Sequence, residues 1–414
     1  MGLIVQKYGG TSVGSTERIK RVAERLLAAQ RSGLEVVAVV SAMAGVTDNL
    51  IKLARELTPE PSAREMDSLL ATGEQESSAL VAMAVNAIGG KAISLTGAAA
   101  GIVTDDAHTK AKIAHISPRQ IHALLGEGFL VVVAGFQGQS PEGATTTLGR
   151  GGSDLTAIAL AAALKADDCQ IFTDVDGVHT CDPRVVPDAS KIDEISYDEL
   201  LEMAGAGSKV MQSRAVEFAK KFGVGFEVRS SLADRPGTRT REATPNMEDI
   251  VVRGVSLERN QAKVTIRGVP DRPGCAGTIF SAIADANLSV DMIVQNASST
   301  GTTDLSFTLH KDDFAFAEKF LGPLVETIGA SGMTATTDVA KLSVVGIGMR
   351  SHAGVASRLF ATLGEAGVNI QLISTSEIKI AVVIAAEELE RAAQVTHLAF
   401  GLTRPKSAGA SATG

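Results

Sequence analysis

The chain has 414 residues, which at roughly 150 per domain gives two to three domains. Hydrophobic residues make up 45% and charged residues 21%, so large cores can be buried and a disordered chain is excluded. Lys and Arg number 39 against 47 Asp and Glu, a balance of −8 that argues against a basic nucleic-acid binder, and with 4% aromatics and no Trp there is little to stack on single strands.

Residues 1 to about 245 alternate apolar runs with helical periodicity. Leu3–Tyr8 predicts a strand. Glu17–Gln30 predicts a helix with Ile19, Val22, Ala23, Leu26 and Leu27 on one face. Leu34–Val40, Leu130–Ala134 and Gln170–Thr173 predict strands buried on both faces. Helices are predicted at Ser77–Ile88 and Leu155–Leu164. Alternating βα units imply an open, mostly parallel α/β sheet, with ligands beyond the C-terminal strand ends. Turn signals at Ala233–Pro245 mark a boundary, so 1–245 is one domain. Beyond it lies an internal repeat. Ala262–Thr265 returns as Ala340–Ser343, Gly274 and Phe280 as Gly354 and Phe360, and Ser289–Ile293 as Asn369–Ile373. Each copy reads as a ferredoxin-like βαββαβ unit, over 261–338 and 339–403. Residues 246–260 are a linker, in which Ile250–Leu257 offers an extra strand to either copy. A small polar tail at 404–414 is expected to be disordered.

Cys169, Cys181 and Cys275 stand far apart without ligand spacing, so neither zinc nor a disulfide framework is expected and no metal residues are assigned. No cleavable signal precedes the first strand and Leu155–Leu164 is too short for a membrane span, giving a cytoplasmic expectation.

Four segments carry chemistry. Lys7-Tyr8-Gly9-Gly10-Thr11-Ser12-Val13-Gly14 joins a strand to a helix. Glycine N–H groups and a helix start suit phosphate oxygens, and Lys7 would neutralise a transferring phosphoryl group. An ordinary glycine turn with a surface lysine accounts for the same residues. No Walker A, GxGxxG, protein-kinase or GxSxG motif occurs. Gly149-Arg150-Gly151-Gly152-Ser153-Asp154 precedes an apolar helix. Arg150 offers a planar fork for a carboxylate and Asp154 a partner for an ammonium or a lysine. Capping by Ser153 or Asp154 explains part of this run but not Gly-Arg-Gly-Gly. Ser41–Asp48 follows the second strand, where a plain βα loop is the alternative. Glu74, within Thr72–Glu76, reads as the acid opening a helix. Thr173–Val178 and Asp182–Arg184 place carboxylates at a strand end, suited to Mg²⁺-nucleotide, or else form an acidic turn. Lys209 is a second phosphate lysine or a solvated one. His108, His115, His122 and His179 show no ligand spacing.

Taken in order, Lys7–Gly14, Ser41–Asp48, Thr72–Glu76, Gly135–Gly138, Gly149–Asp154, Thr173–Val178, Asp182–Arg184 and Ser208–Lys209 resemble the motif set of the monofunctional aspartate kinases of the amino-acid-kinase superfamily. Ser374–Ile378 resembles the second signature of their C-terminal ACT pair. The resemblance implies a kinase sheet followed by two ACT domains and phosphoryl transfer from ATP, with Mg²⁺, to the side-chain carboxylate of L-aspartate. Such a carboxylate is already ionised at neutral pH, so positioning and charge stabilisation suffice without a general base. By resemblance, Lys7, Arg150 and Asp154 are catalytic. Ser41, Thr47, Asp48, Glu74, Arg150, Gly151, Gly152, Ser153 and Asp154 hold aspartate. Lys7, Tyr8, Gly9, Gly10, Ser12, Thr173, Asp174, His179, Asp182, Arg184 and Lys209 hold ATP. Lysine or threonine as effector would meet Asp271, Gly274, Ala276, Asp291, Gln295, Thr303, Asn369 and Ile370. The expected role is the first step of lysine, threonine and methionine biosynthesis. The expected assembly is a homo-oligomer, or α₂β₂ with a regulatory subunit starting at Met247. No nucleic-acid or membrane partner is expected. The alternatives are a kinase of glutamate or acetylglutamate, and a non-catalytic amino-acid sensor, which would have no need of Lys7 or Arg150.

Overall fold

A computed structural model describes residues 2–203, 211–243, 252–296, 301–349, 352 and 354–403. Ser208, Lys209, Met247 and the 404–414 tail lie outside the described residues. Two compact units emerge, one from residues 2–178, 191–203 and 211–243, the other from residues 179–190 and 252–403.

The first unit runs β1 (Leu3–Tyr8), α1 (Thr16–Arg31), β2 (Glu35–Val40), α2 (Val46–Leu57), α3 (Ala63–Ala87), β3 (Ala92–Leu95), β4 (Ile102–Thr104), β5 (Ile113–Ile116), α4 (Arg119–Gly126), β6 (Leu130–Ala134), β7 (Gln137–Gln139) and β8 (Thr145–Thr147). It continues through α5 (Gly152–Leu164), β9 (Asp168–Thr173), β10 (Glu194–Ser196), α6 (Tyr197–Met203), α7 (Ser213–Phe222), β11 (Phe226–Ser230) and β12 (Thr238–Arg241). Eight strands form one sheet in the order β10-β12-β11-β9-β1-β2-β6-β3, parallel except where β11 meets β12. A four-stranded sheet, β5-β4-β7-β8, stands beside it. The β-branched runs of β1, β2 and β6 are buried on both faces, as a parallel sheet covered by helices requires. Helix α1 starts where Ser15 Oγ accepts from Arg18 N, and it lays Ile19, Val22, Ala23, Leu26 and Leu27 on the sheet. Helix α5 is buried almost all round, which is why its sequence reads apolar without a polar face.

One expectation needs correction. The helix predicted at Ser77–Ile88 begins at Ala63, so Glu74 lies mid-helix and does not open one. At Gly73 a Cβ would sit 2.9 Å from the Ala42 side chain, so glycine lets the loop after β2 press against the middle of this helix.

The second unit holds β13 (Gly254–Pro270), α8 (Cys275–Asp285), β14 (Val290–Gln295), β15 (Thr302–His310), α9 (Lys311–Thr327), β16 (Gly332–Val345), α10 (Val355–Glu365), β17 (Leu372–Thr375), β18 (Lys379–Ala385) and α11 (Leu389–Ala399). Its sheet runs β14-β15-β13-β16-β18-β17. Two long strands serve both repeats. Gln261–Arg267 of β13 pairs with Val339–Gly332 of β16 in the first repeat, while Gly254–Glu258 pairs with Val345–Lys341 in the second. The extra strand expected near Ile250–Leu257 is therefore the front half of β13, and it completes the second repeat. Each repeat has its own core, one around Ile266, Ile279, Phe307 and Leu321, the other around Leu342, Leu359, Val382 and Leu389. Cys181, Val185, Val186 and Ala189 join the second core, where Thr180 Oγ1 lies 2.9 Å from Nε2 of buried His397. Between the repeats, Lys341 is buried with its Nζ 2.8 Å from Glu258 Oε1 and paired to Asp291. No helix among the described residues is long and apolar enough to cross a membrane.

Candidate active site

Strand β1 lies between β2 and β9, the point at which chain order turns from one side of the sheet to the other, and a crevice is expected there. Backbone hydrogen bonds gather the loops around it. Gly9 N donates to Phe172 O at 3.2 Å, Ser41 N to Tyr8 O at 3.0 Å and Gly135 N to Val40 O at 3.0 Å. The loops after β1 and β2 then touch. Ala44 N donates to Gly10 O at 3.2 Å, and a Cβ on Gly10 would fall 2.6 Å from Ala42 O. Gly10→Ala is expected to push these loops apart, costing about 1–3 kcal/mol in chemical denaturation and weakening ATP binding.

Lys7, at the end of β1, points to the α5 side, where its Nζ lies 2.6 Å from Asp154 Oδ1, both side chains being 11% exposed. A nearly dry ion pair fixes the position of the ammonium group. Gly9 lies directly beside that Nζ, a Cβ there being 3.4 Å from it. Opposite, the start of α5 corrects the capping expectation. The N-cap is Gly151 at φ +69°, with no side-chain cap bond, and Ser153 and Asp154 stand in the first turn. Gly152 N donates to Gly149 O at 3.0 Å, and with no side-chain cap the N–H groups of Ser153 and Asp154 face the space where a ligand anion would sit. A Cβ on Gly151 would also overlap the Gln212 side chain, and one on Gly152 would come 2.8 Å from Phe136. Arg150, between these glycines, is exposed and forms no ion pair among the described residues.

On the other wall, Glu74 is 4% exposed, and its Oε1 accepts from Ala42 N at 3.0 Å while Oε2 has no partner. Burial pushes this carboxyl up to about 7, the Ala42 N–H opposing the shift. Thr47 and Asp48 open α2 beside the Ser41 loop, Asp48 exposed and Ser41 and Thr47 half-buried.

Asp67 gives no signal in the sequence, being a lone acid in a helical stretch. Fully buried on α3, it accepts from Thr109 N at 3.0 Å and from Thr147 Oγ1 at 2.5 Å, and lies 2.7 Å from His108 Nδ1. With Arg214, whose guanidinium donates to Leu148 O at 2.7 Å, it anchors the chain entering Gly149-Arg150.

Of the residues assigned to ATP, Tyr8 is buried and stacked on Phe172 with ring centroids 4.8 Å apart, and Ser12 is buried. Thr173 ends β9, and its Oγ1 donates to Asp174 at 3.1 Å. His179, Asp182 and Arg184 fall in the second unit, where Arg184 forks onto Asp182 at 2.6 and 3.0 Å and holds that carboxyl below the usual range. Of the effector residues, Asp271 and Gly274 form the turn before α8 and Ala276 sits in its first turn. Asp291 and Gln295 lie on β14. Thr303 is buried, its Oγ1 donating to Asn296 O at 2.6 Å. Asn369 is exposed before β17, and Ile370 packs on the second repeat's core. Among the described residues no group of three or more His, Cys, Asp or Glu could hold a metal ion.

The amino acid kinase family matches residues 2–229, and the ACT domain matches residues 264–321 and 342–400. An aspartokinase of Pseudomonas aeruginosa is 52% identical over 411 residues, covering 99% of this chain and 100% of that one. The R-state of E. coli aspartokinase III, solved in complex with aspartate and ADP, superposes with a TM-score of 0.81 at 27% identity, covering 96% of this chain and 99% of that chain. The T-state of the same enzyme, in complex with lysine and aspartate, gives a TM-score of 0.75 at 27% identity over the same shares of 96% and 99%. With both domain types present and identity running the whole length, the chain belongs to the aspartokinase branch of the amino acid kinase family, phosphotransferases that act on a carboxyl group.

Proposed function

We propose that the chain transfers the γ-phosphoryl group of ATP to the side-chain carboxylate of L-aspartate, giving 4-phospho-L-aspartate and ADP. The observation that carries this is the Lys7–Asp154 pair at 2.6 Å, set between one glycine loop and an uncapped helix start that holds a free Arg150. Lys7 with the Gly9–Ser12 amides receives the γ-phosphoryl oxygens and the charge that grows on them during transfer. Arg150 and the α5 first turn clamp the aspartate α-carboxylate, and Glu74 takes its ammonium. Asp154 orients Lys7. Thr173, Asp174, His179, Asp182, Arg184 and Lys209 serve the nucleotide, whereas the side chains of Tyr8 and Ser12, assigned to it by resemblance, turn to the α1 side of the sheet, away from Lys7. Mg²⁺ would neutralise charge on the ATP phosphates, with Asp174 the carboxylate assigned to the nucleotide in the first unit. A coupled ADP assay with hydroxylamine trapping tests the reading. Aspartyl hydroxamate is expected, and turnover of glutamate or acetylglutamate in its place would overturn it.

Glu74 supplies a second check. Its carboxyl, raised to about 7, is half protonated at neutral pH in the free enzyme. An arriving ammonium favours the ionised form, so aspartate binding should release roughly half a proton at pH 7 and almost none at pH 8.5. Calorimetry in buffers of different ionisation enthalpy reads this, and Glu74→Gln should abolish it.

The ACT repeats support feedback control by lysine, threonine or both, acting at Asp271, Gly274, Ala276, Asp291, Gln295, Thr303, Asn369 and Ile370. An effector inhibits only if it favours one kinase arrangement over another. The E. coli T-state structure with lysine supports a basic amino acid as ligand. Inhibition assays with each amino acid, separately and together, identify the effector. The role proposed with it is the first step of lysine, threonine and methionine synthesis. A start at Met247 would add a regulatory subunit, and native mass spectrometry giving one full-length species would exclude it.

A further inference from the structure

Neighbouring residues of a strand face opposite sides of the sheet. Lys7 faces α5, whereas Gln6 faces the α1 side, where its Nε2 donates to Gln170 Oε1 at 2.9 Å. On that opposite side a cavity of about 640 Å³ opens between α1 and the turn after β11, within the first unit. Four guanidinium groups line it, from Arg18, Arg21, Arg25 and Arg229, against two carboxylates. Arg229 is paired to Asp234 at 3.4 Å, but Arg21 and Arg25 form no ion pair among the described residues, and Arg25 Cζ lies over Phe172, 4.6 Å from the ring centroid. Ser12, 3% exposed, also lines the cavity. Its Oγ has no hydrogen-bond partner, and neither have Ser231 Oγ and the buried Nε of Arg229. Buried polar groups are nearly always satisfied, so three orphaned donors beside surplus positive charge point to a missing oxygen-rich anion. The volume suits a nucleotide-sized ligand.

We propose that this cavity is a second anion site, distinct from the Lys7 side of the sheet, that binds a phosphorylated small molecule through Arg18, Arg21, Arg25, Arg229 and Ser12. Its occupant would rest against the back of the glycine loop, since Arg18 also donates to Thr11 O.

The test is calorimetric titration of the full-length protein with inorganic diphosphate. Lys7→Ala removes the main cation of the catalytic loop and is the reference background. Saturable binding is expected to persist in Lys7→Ala and to weaken at least tenfold in Lys7→Ala/Arg21→Gln. Arg18→Gln stands in should that variant lose its far-ultraviolet spectrum. A parallel arm with GDP separates a bare phosphate ligand from a base-bearing one, and Arg21-dependent binding in either arm supports the site. Loss of all binding in Lys7→Ala, or equal binding in the single and double variants, overturns it.

Discussion

Replacing Lys7 by alanine should lower kcat by about 10²–10³-fold, with a smaller change in the KM for aspartate. The ammonium sits where negative charge grows on the transferring phosphoryl group, so its removal is felt in the transition state more than in the ground state. The same change strands Asp154, whose side chain is 11% exposed and has lost its partner. The double variant Lys7→Ala/Asp154→Asn separates the two effects. It should recover thermal stability lost to the unpaired carboxylate while leaving kcat low. Steady-state kinetics beside a melting curve reads both, and a near-normal kcat in Lys7→Ala would remove the lysine from the transition state.

Arg150→Ala should raise the KM for aspartate roughly 10- to 100-fold and leave kcat within a few-fold of its starting value. The guanidinium is exposed and unpaired within the described residues, so nothing in the fold depends on it. Its removal costs ligand binding and not stability. Arg150→Lys should recover only part of the loss, because an ammonium cannot fork onto both carboxylate oxygens. A large fall in kcat at saturating aspartate would instead assign Arg150 to the phosphoryl group.

Much of this fold is legible in the sequence because its signals are local. The strands Leu3–Tyr8 and Leu130–Ala134 are bounded by glycine and charge, and the structure has them at those limits. Gly73 and the acids around it resemble a helix start, but the helix runs on from Ala63, and the glycine answers to the close approach of Ala42 instead. Asp67 was invisible for the opposite reason, since its partners lie far along the chain and one buried carboxylate leaves no pattern. The repeat was plain from matching residues, but not its interlocked strands. Register between β13 and β16 is set by pairing across the whole first repeat, which no local signal encodes.

The shared strands bear on how the chain is made. On the ribosome the first repeat can close once the front of β16 emerges. The second cannot, because its outer strand, Gly254–Glu258, is synthesised before the first repeat and its partner, Lys341–Val345, after. Until then those five residues present an open backbone edge, the kind of surface that invites misassembly with other nascent chains. Slow closure of this long-range pair is the step where a chaperone would matter most.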